Sequence, residues 1–337
     1  MIKYGGLFFM RRYYIEQKLK SAAAFLIILI LLPYIVSVFV NGTGAGTEGE
    51  EEISFVQVKT TDSRGEEEIR EIGWTEYLVG ILAAELPQET EAEAVKAQAV
   101  LARTGLYREL AGEDDVLDFN YLTRKEMEEK WGAADYQKIY DSYVQAVEET
   151  DNIVLWYGDG YPWVPFHQSS NGMTRSAEEV TGSADYPYIA VRECPLDKEA
   201  DEELQSVSFT YSEIQEKCRS FLVAAAGEEE AQQGYSFDDF EIQSRDSAGY
   251  VRALRIGETV CTGDQFRDAL SLASSDFSFS EDGDALKITT TGKGHGLGLS
   301  LWTANEMAKE GKSYGEILSF FFEGISLKDD VQEMDLI

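Results

Sequence analysis

Basic side chains, cysteine and histidine are all scarce in this 337-residue sequence: 29 Lys and Arg stand against 62 Asp and Glu, with three Cys and two His. The formal charge of -33 argues against a nucleic-acid partner, because binding phosphates takes clustered positive potential. Cys194, Cys218 and Cys261 lie far apart, so no disulfide framework is indicated, although one bridge stays open. No C-x-x-C or H-E-x-x-H spacing is present, so neither a metal nor another cofactor is expected. The Gly, Lys and Ser/Thr order of a phosphate loop is missing, as is G-x-S-x-G, which sets aside nucleotide binding and a serine nucleophile. There is no repeat of solenoid period. What the chain does have is a hydrophobic content of 44% with 12% aromatics, enough for a substantial core.

The N-terminus differs from the rest. A basic tail, residues 1–20, precedes the expected anchor 21–40, whose apolar run from Ala22 to Val40 is interrupted only by Pro33, Tyr34 and Ser37. That length spans a bilayer, and the acidic stretch Glu48 to Glu52 beyond it puts the N-terminus inside and the main domain outside by the positive-inside rule. A cleaved signal peptide is the competing reading, but the run is long for one and no A-x-A site follows. The expected localisation is therefore a single-pass cell-membrane protein with an extracytoplasmic domain. Residues 41–70 read as a solvated linker with a short strand, 71–327 as the extracytoplasmic domain and 328–337 as an acidic tail that frays.

Within the domain, helices are predicted over Thr75–Glu85, where Pro87 stops the run, and over Glu91–Leu110, Arg124–Trp131, Asp135–Thr150, Leu299–Lys309 and Ser313–Phe322. Ile153–Tyr157 and Tyr161–Gln168 around Gly158-Asp159-Gly160 read as a hairpin. Further strands are predicted at Phe240–Arg245, Tyr250–Ile256 and Ala285–Thr290, while 199–234 reads as an acidic surface insertion. The fold class is α+β: a helical part packed on a small mixed or antiparallel sheet, preceded by one N-terminal transmembrane helix.

Three segments have the residues for chemistry, and each also has a plain structural explanation. Glu85 ends a helix whose preceding residues, Gly80 to Ala84, are apolar enough to bury its carboxyl and raise its pKa, as a general acid requires; a solvated helix end is the plain alternative. On the next helix Lys96 and Arg103 share a face, suited to orienting a sugar or balancing a carboxylate, or else simply solvated; Gln98 points elsewhere among small residues. His167-Gln168-Ser169-Ser170-Asn171-Gly172-Met173-Thr174 offers many directional hydrogen bonds, or ordinary turn chemistry. Gly292-Lys293-Gly294-His295-Gly296-Leu297-Gly298-Leu299-Ser300 lets backbone approach a ligand closely and holds the second histidine.

Taken in order, Tyr77-Leu-Val-Gly-Ile-Leu-Ala-Ala-Glu85-Leu-Pro87, Glu93-Ala-Val-Lys96-Ala-Gln98-Ala-Val-Leu-Ala-Arg103-Thr104, the His167 to Thr174 loop and Gly294 to Ser300 resemble the stage II sporulation protein D and amidase-enhancer family. The resemblance runs from about Tyr77 to Leu327. It implies a lytic transglycosylase that cleaves peptidoglycan glycan strands, with Glu85 as catalytic acid and then base and a 1,6-anhydro product. It also implies a wall amidase as partner and a setting in sporulation. The alternative is a non-catalytic, peptidoglycan-binding enhancer of that amidase. By the same resemblance Lys96, Gln98, Arg103, His167, Ser169, Ser170, Asn171, Thr174, Gly294, His295, Gly296 and Ser300 are expected to line the substrate groove. Leu301 stands where the family usually carries Gln, which predicts one lost groove contact; the zinc ligands of some relatives are not carried over, the nearest cysteine being Cys194.

Overall fold

The computed structural model describes residues 55–61, 64–112, 116–201, 203–226 and 234–329. The expected transmembrane segment, the basic tail before it and residues 330–337 lie outside these. Among the described residues no helix is long and apolar enough to cross a membrane.

The first core is helical. Strands β1 (Phe55–Thr61) and β2 (Glu67–Gly73) form an antiparallel pair, with β3 (Val116–Leu117) parallel on the other edge of β1. Thus residues 67–70, expected to be linker, belong to β2. Helix α1 (Trp74–Glu85) follows directly, and Tyr77 to Ala83 are all buried, as befits a helix that is apolar around its whole circumference. It ends where Leu86 turns extended, the backbone preferred before Pro87. Helix α2 (Ala92–Leu110) packs on α1, and its buried alanines at 94, 97, 99 and 102 let neighbours approach closely. Helices α3 (Arg124–Trp131) and α4 (Tyr136–Glu149) complete this layer, α3 opening on a Thr123/Glu126 capping box.

The expected hairpin does not form. Strand β4 (Ile153–Trp156) pairs instead with the C-terminal β13 (Ser326–Asp329), and β5 (Phe166–His167) lies parallel to β12 (Leu299–Ser300). The Gly158 turn closes only a single Tyr157–Gly160 bridge, and Pro162 and Pro165 lack the N–H groups that a ladder needs. Lys328 and Asp329 are therefore strand, not tail. Helices α5 (Ala177–Thr181), α9 (Leu301–Lys309) and α10 (Tyr314–Phe321) also belong to this first half, and Leu301 lies in its core, 6% exposed, rather than in a groove.

A second core has its own sheets. β6 (Leu204–Thr210) is the edge of an antiparallel sheet ordered β10 (Phe277–Asp282), β11 (Ala285–Thr291), β6. A second antiparallel sheet is ordered β7 (Phe240–Arg245), β8 (Val251–Ile256), β9 (Thr259–Cys261), with a bulge around Ile242 to Ser244. Helices α6 (Tyr211–Lys217), α7 (Arg219–Ala226) and α8 (Gly263–Leu270) cover them, with Ile214, Cys218 and Leu222 fully enclosed. The described part of the segment expected to be a surface insertion, through residue 222, thus belongs to this core: β6 supplies a ladder, and one apolar side chain per helical turn, at 214, 218 and 222, supplies the packing. All three cysteines are buried free thiols.

The loops 168–175 and 292–298 run between the two cores. Gly298, at φ +71°, passes so close to Pro165 that any Cβ would fall 1.9 Å from its carbonyl oxygen. Only glycine fits that combination of left-handed backbone and close approach.

Candidate active-site cleft

Where α1 ends, the Glu85 side chain turns into a cleft of about 450 Å³. Its walls are one face of α2, from Gln98 through Leu101, Ala102 and Gly105 to Arg108 and Glu109, the extended run Pro162 to Phe166, the ring of Phe119, and His295. Glu109 follows Gln98 by eleven positions on α2, so the cleft extends about 16 Å along that helix.

Burial raises the Glu85 carboxyl from its ordinary 4.5 to about 7, against a smaller opposing pull from Gln98. The C-terminal end of α1 disfavours negative charge in the same direction. Gln98 Nε2 donates to Glu85 Oε2 at 2.8 Å. A carboxamide suits a group that gains and loses a proton: it donates to the carboxylate and, turned over, accepts from the acid. Among the described residues no cation offsets the burial: Lys96 and Arg103 of α2 are engaged elsewhere, and Arg108 stands ten positions beyond Gln98, about 15 Å along the helix. Lys96 pairs with Glu93 at 2.8 Å and Glu149 at 2.6 Å. Arg103 is 1% exposed and donates to the carbonyls of Val147 and Ile153 and to Thr150 Oγ1.

The structure brings Glu85, Gln98 and His295 together at the cleft. Gln168 Nε2 donates to the Glu85 carbonyl at 3.0 Å, which ties the first loop to the end of α1. His167 stands behind His295, ring centroids 5.9 Å apart, and burial lowers both, to about 4 and about 3.

The remaining expected residues spend their polar atoms inside the protein. Asp197, fully buried, accepts from the Ser170 N–H at 2.6 Å, Ser300 Oγ at 2.8 Å and Thr303 Oγ1 at 2.6 Å. Ser169 Oγ donates to Glu203, which burial raises to about 7. Asn171 donates to Ala248 O and Asp276, and Thr174 to Ala190 O. A Cβ on Gly294 would meet His167 Cβ at 2.7 Å, and one on Gly296 the Tyr250 ring at 2.7 Å. These glycines let the loop pack against its neighbours.

Several residues of the site were not singled out by the sequence. Trp163, Phe166 and Phe119 form the aromatic walls, and the Pro162-Trp163-Val164-Pro165-Phe166 run was a legible sign of an extended aromatic strip. Asp197 and Arg175 had no such sign, since their partners lie between 27 and 120 residues away. Among the described residues no cluster of His, Cys, Asp or Glu has a metal-holding arrangement.

The fold and site define an α+β protein with an open, aromatic-walled cleft and one protonatable carboxyl at its end. Residues 62–157 match the family described as stage II sporulation protein. The stage II sporulation protein D of Bacillus amyloliquefaciens is 31% identical over 273 residues, 77% of this chain and 76% of that one. Its counterpart in Bacillus subtilis (strain 168) is 28% identical over 333 residues, 90% of this chain and 93% of that one. An uncharacterized protein of Brachyspira hyodysenteriae is 28% identical over 265 residues, 77% and 68% of the respective chains. The chain belongs to the stage II sporulation protein D family.

Proposed function

We propose that the protein is a membrane-anchored lytic transglycosylase that cleaves peptidoglycan glycan strands outside the cell during sporulation, working beside a wall amidase. The observation that carries this reading is the Glu85 carboxyl, held near pH 7 at the end of a cleft long enough for about three sugar rings. The partly buried Trp163 and Phe166 offer flat apolar faces to pyranose rings, and the only cationic side chain of the described lining, Arg108, lies at the end of the cleft away from Glu85.

The number of carboxyl groups bears on the reaction. Of the described cleft residues only Glu85 and Glu109 are acidic, and they stand at opposite ends: Glu85 is held by Gln98, and Glu109 lies about 16 Å further along α2. A glycosidase that activates water with a second carboxylate holds its pair about 5–9.5 Å apart. One carboxyl suffices if the sugar supplies its own nucleophile. Glu85 donates its proton to the glycosidic oxygen as the bond to C1 breaks, and the carboxylate then takes the proton of the C6 hydroxyl as that oxygen bonds to C1. The products are a free 4-hydroxyl and a 1,6-anhydro end, with no water consumed and Glu85 reprotonated.

The test is mass spectrometry of intact peptidoglycan and of amidase-treated, peptide-free glycan after incubation with the full chain or with Glu85→Gln. Anhydromuramic products from the wild type that vanish in the variant support the proposal. Glycan binding and amidase acceleration by both proteins without any product would replace it with the enhancer role.

The cleft itself can be tested separately. A Cβ on Gly105 would meet the Phe119 ring at 3.4 Å, an ordinary contact. Gly105→Leu is therefore expected to fold, to gain about 0.5–1 kcal/mol of helix stability, and to fill the cleft. Binding of peptide-free glycan should fall tenfold or more, roughly the effect of losing one well-packed contact, with no drop in melting temperature. Unchanged binding would put the glycan elsewhere.

A further inference from the structure

We propose that His295 is held in one neutral tautomer as an Nε2–H donor facing the cleft, and that Arg175 is the positioning residue that keeps it so; its use on a glycan rests on the function proposed above.

The main chain of Leu297 decides the tautomers of both histidines. Its N–H donates to His295 Nδ1 at 3.0 Å, so that nitrogen carries a lone pair and the ring proton sits on Nε2. Its carbonyl, which can only accept, lies 3.1 Å from His167 Nδ1, so His167 carries its proton there and has a bare Nε2. One residue thus sets two neighbouring rings in opposite states. Burial keeps both rings uncharged well below neutrality. His167 is 3% exposed and its Nε2 meets no partner among the described residues, so it acts as a packed backing, while His295 lines the cleft. The group that fits a fixed N–H donor beside a carboxylic acid is an acceptor oxygen on the sugar that reaches Glu85.

This arrangement depends on loop 292–298 staying in register, and Arg175 grips that loop. The Arg175 N–H donates to Gly296 O at 2.7 Å, and Nη1 donates to His295 O at 3.2 Å. The guanidinium is in turn fixed by Asp246 at 2.7 Å and by both oxygens of Asp264 at 2.9 and 3.0 Å, and it lies over the Tyr250 ring, 4.9 Å from its centre. Asp246, Tyr250 and Asp264 all come from the second core. Its β7–β8 turn and α8 therefore act through Arg175 on a histidine of the cleft.

The chain has only two histidines, so long-range proton–nitrogen correlation of the full, nitrogen-15-labelled chain gives two ring patterns, assigned with His295→Gln. The expected result is one ring protonated on Nδ1 and the other on Nε2, both unchanged from about pH 8 to 5.5, where a free histidine titrates. Arg175→Lys, whose single ammonium cannot reach Asp246, Asp264 and His295 O together as Nε and Nη1 do, is expected to give His295 an averaged pattern. It should also lower kcat on peptide-free glycan about tenfold with a smaller change in KM. Asp264→Asn should move both readouts the same way, less far, and decides the role of Arg175 if the lysine variant does not fold. Two rings in the same tautomer, or averaged rings in the wild type, would overturn the proposal, as would His295 signals indifferent to both variants. The tautomer readout needs no turnover, so it stands or falls apart from the transglycosylase reading.

Discussion

Glu85→Gln is expected to lose glycan cleavage by about 10²–10⁴-fold, the usual contribution of a positioned acid/base, and at the same time to become more stable than the wild type above pH 7. The two effects have one origin. The folded carboxyl holds its proton up to about pH 7 while the unfolded one releases it near 4.5. Between those values the native state binds more protons, so wild-type stability falls as pH rises, and the full penalty is present above pH 7. The neutral amide carries no such penalty and can still accept from Gln98. Melting curves should separate by the equivalent of about 1–3 kcal/mol at pH 8, a discounted value for a partly exposed group, and converge below about pH 4.5. Wild-type turnover should decline above about pH 7 as the acid is lost. A variant that cleaves normally would remove Glu85 from the reaction. One that is inactive but no more stable at pH 8 would mean that the Glu85 carboxyl ionises without a burial penalty.

How far the sequence reveals this site depends on whether the deciding contacts are local. Glu85 and Gln98 stand 13 residues apart on two helices whose periodicity and Pro87 stop are written in the chain, and both reach the cleft. The strands β7, β8 and β11 were legible because turn residues bound them and apolar residues alternate within them. Pairing was not. β4 finds its partner some 170 residues away at β13, and β6 joins β11 across the whole second core, so a hairpin and an insertion were read where ladders form. The same limit applies to side chains. Serine, asparagine and threonine crowded in one loop look like ligand contacts, yet Ser170 and Ser300 are taken up by Asp197, and Asn171 by Ala248 and Asp276. Hydroxyls near a fold's crossover satisfy buried carboxylates first, since an unpaired buried acceptor costs about 1–3 kcal/mol.

Arg103 gives the sharpest contrast between the two readings, and Arg103→Ala should lose about 3–5 kcal/mol of stability rather than a glycan contact. The guanidinium lies in the first core with no carboxylate of the described residues touching it; burial lowers it from 12.5 to about 10, still charged at neutral pH. What balances the charge is the C-terminal end of α4, whose last carbonyls have no helical donor. Arg103 reaches Val147 O at 3.1 Å, Thr150 Oγ1 at 3.2 Å and, just past the helix, Ile153 O at 3.0 Å, where β4 begins. One side chain on α2 thereby caps a helix and fixes the strand that pairs with the chain's last described segment. Truncation would strand those acceptors and leave a cavity among fully packed neighbours. Lysine would keep the charge but not the fork, so Arg103→Lys should recover only part of the loss. Thermal melts of the three proteins decide the matter, together with cleavage assays at a temperature where each remains folded. If Arg103→Ala melts normally but fails to hold peptide-free glycan, the arginine belongs to the groove after all; if it melts early and, while folded, cleaves at the wild-type rate, its work is to hold α2, α4 and β4 in the arrangement that carries Gln98 to Glu85.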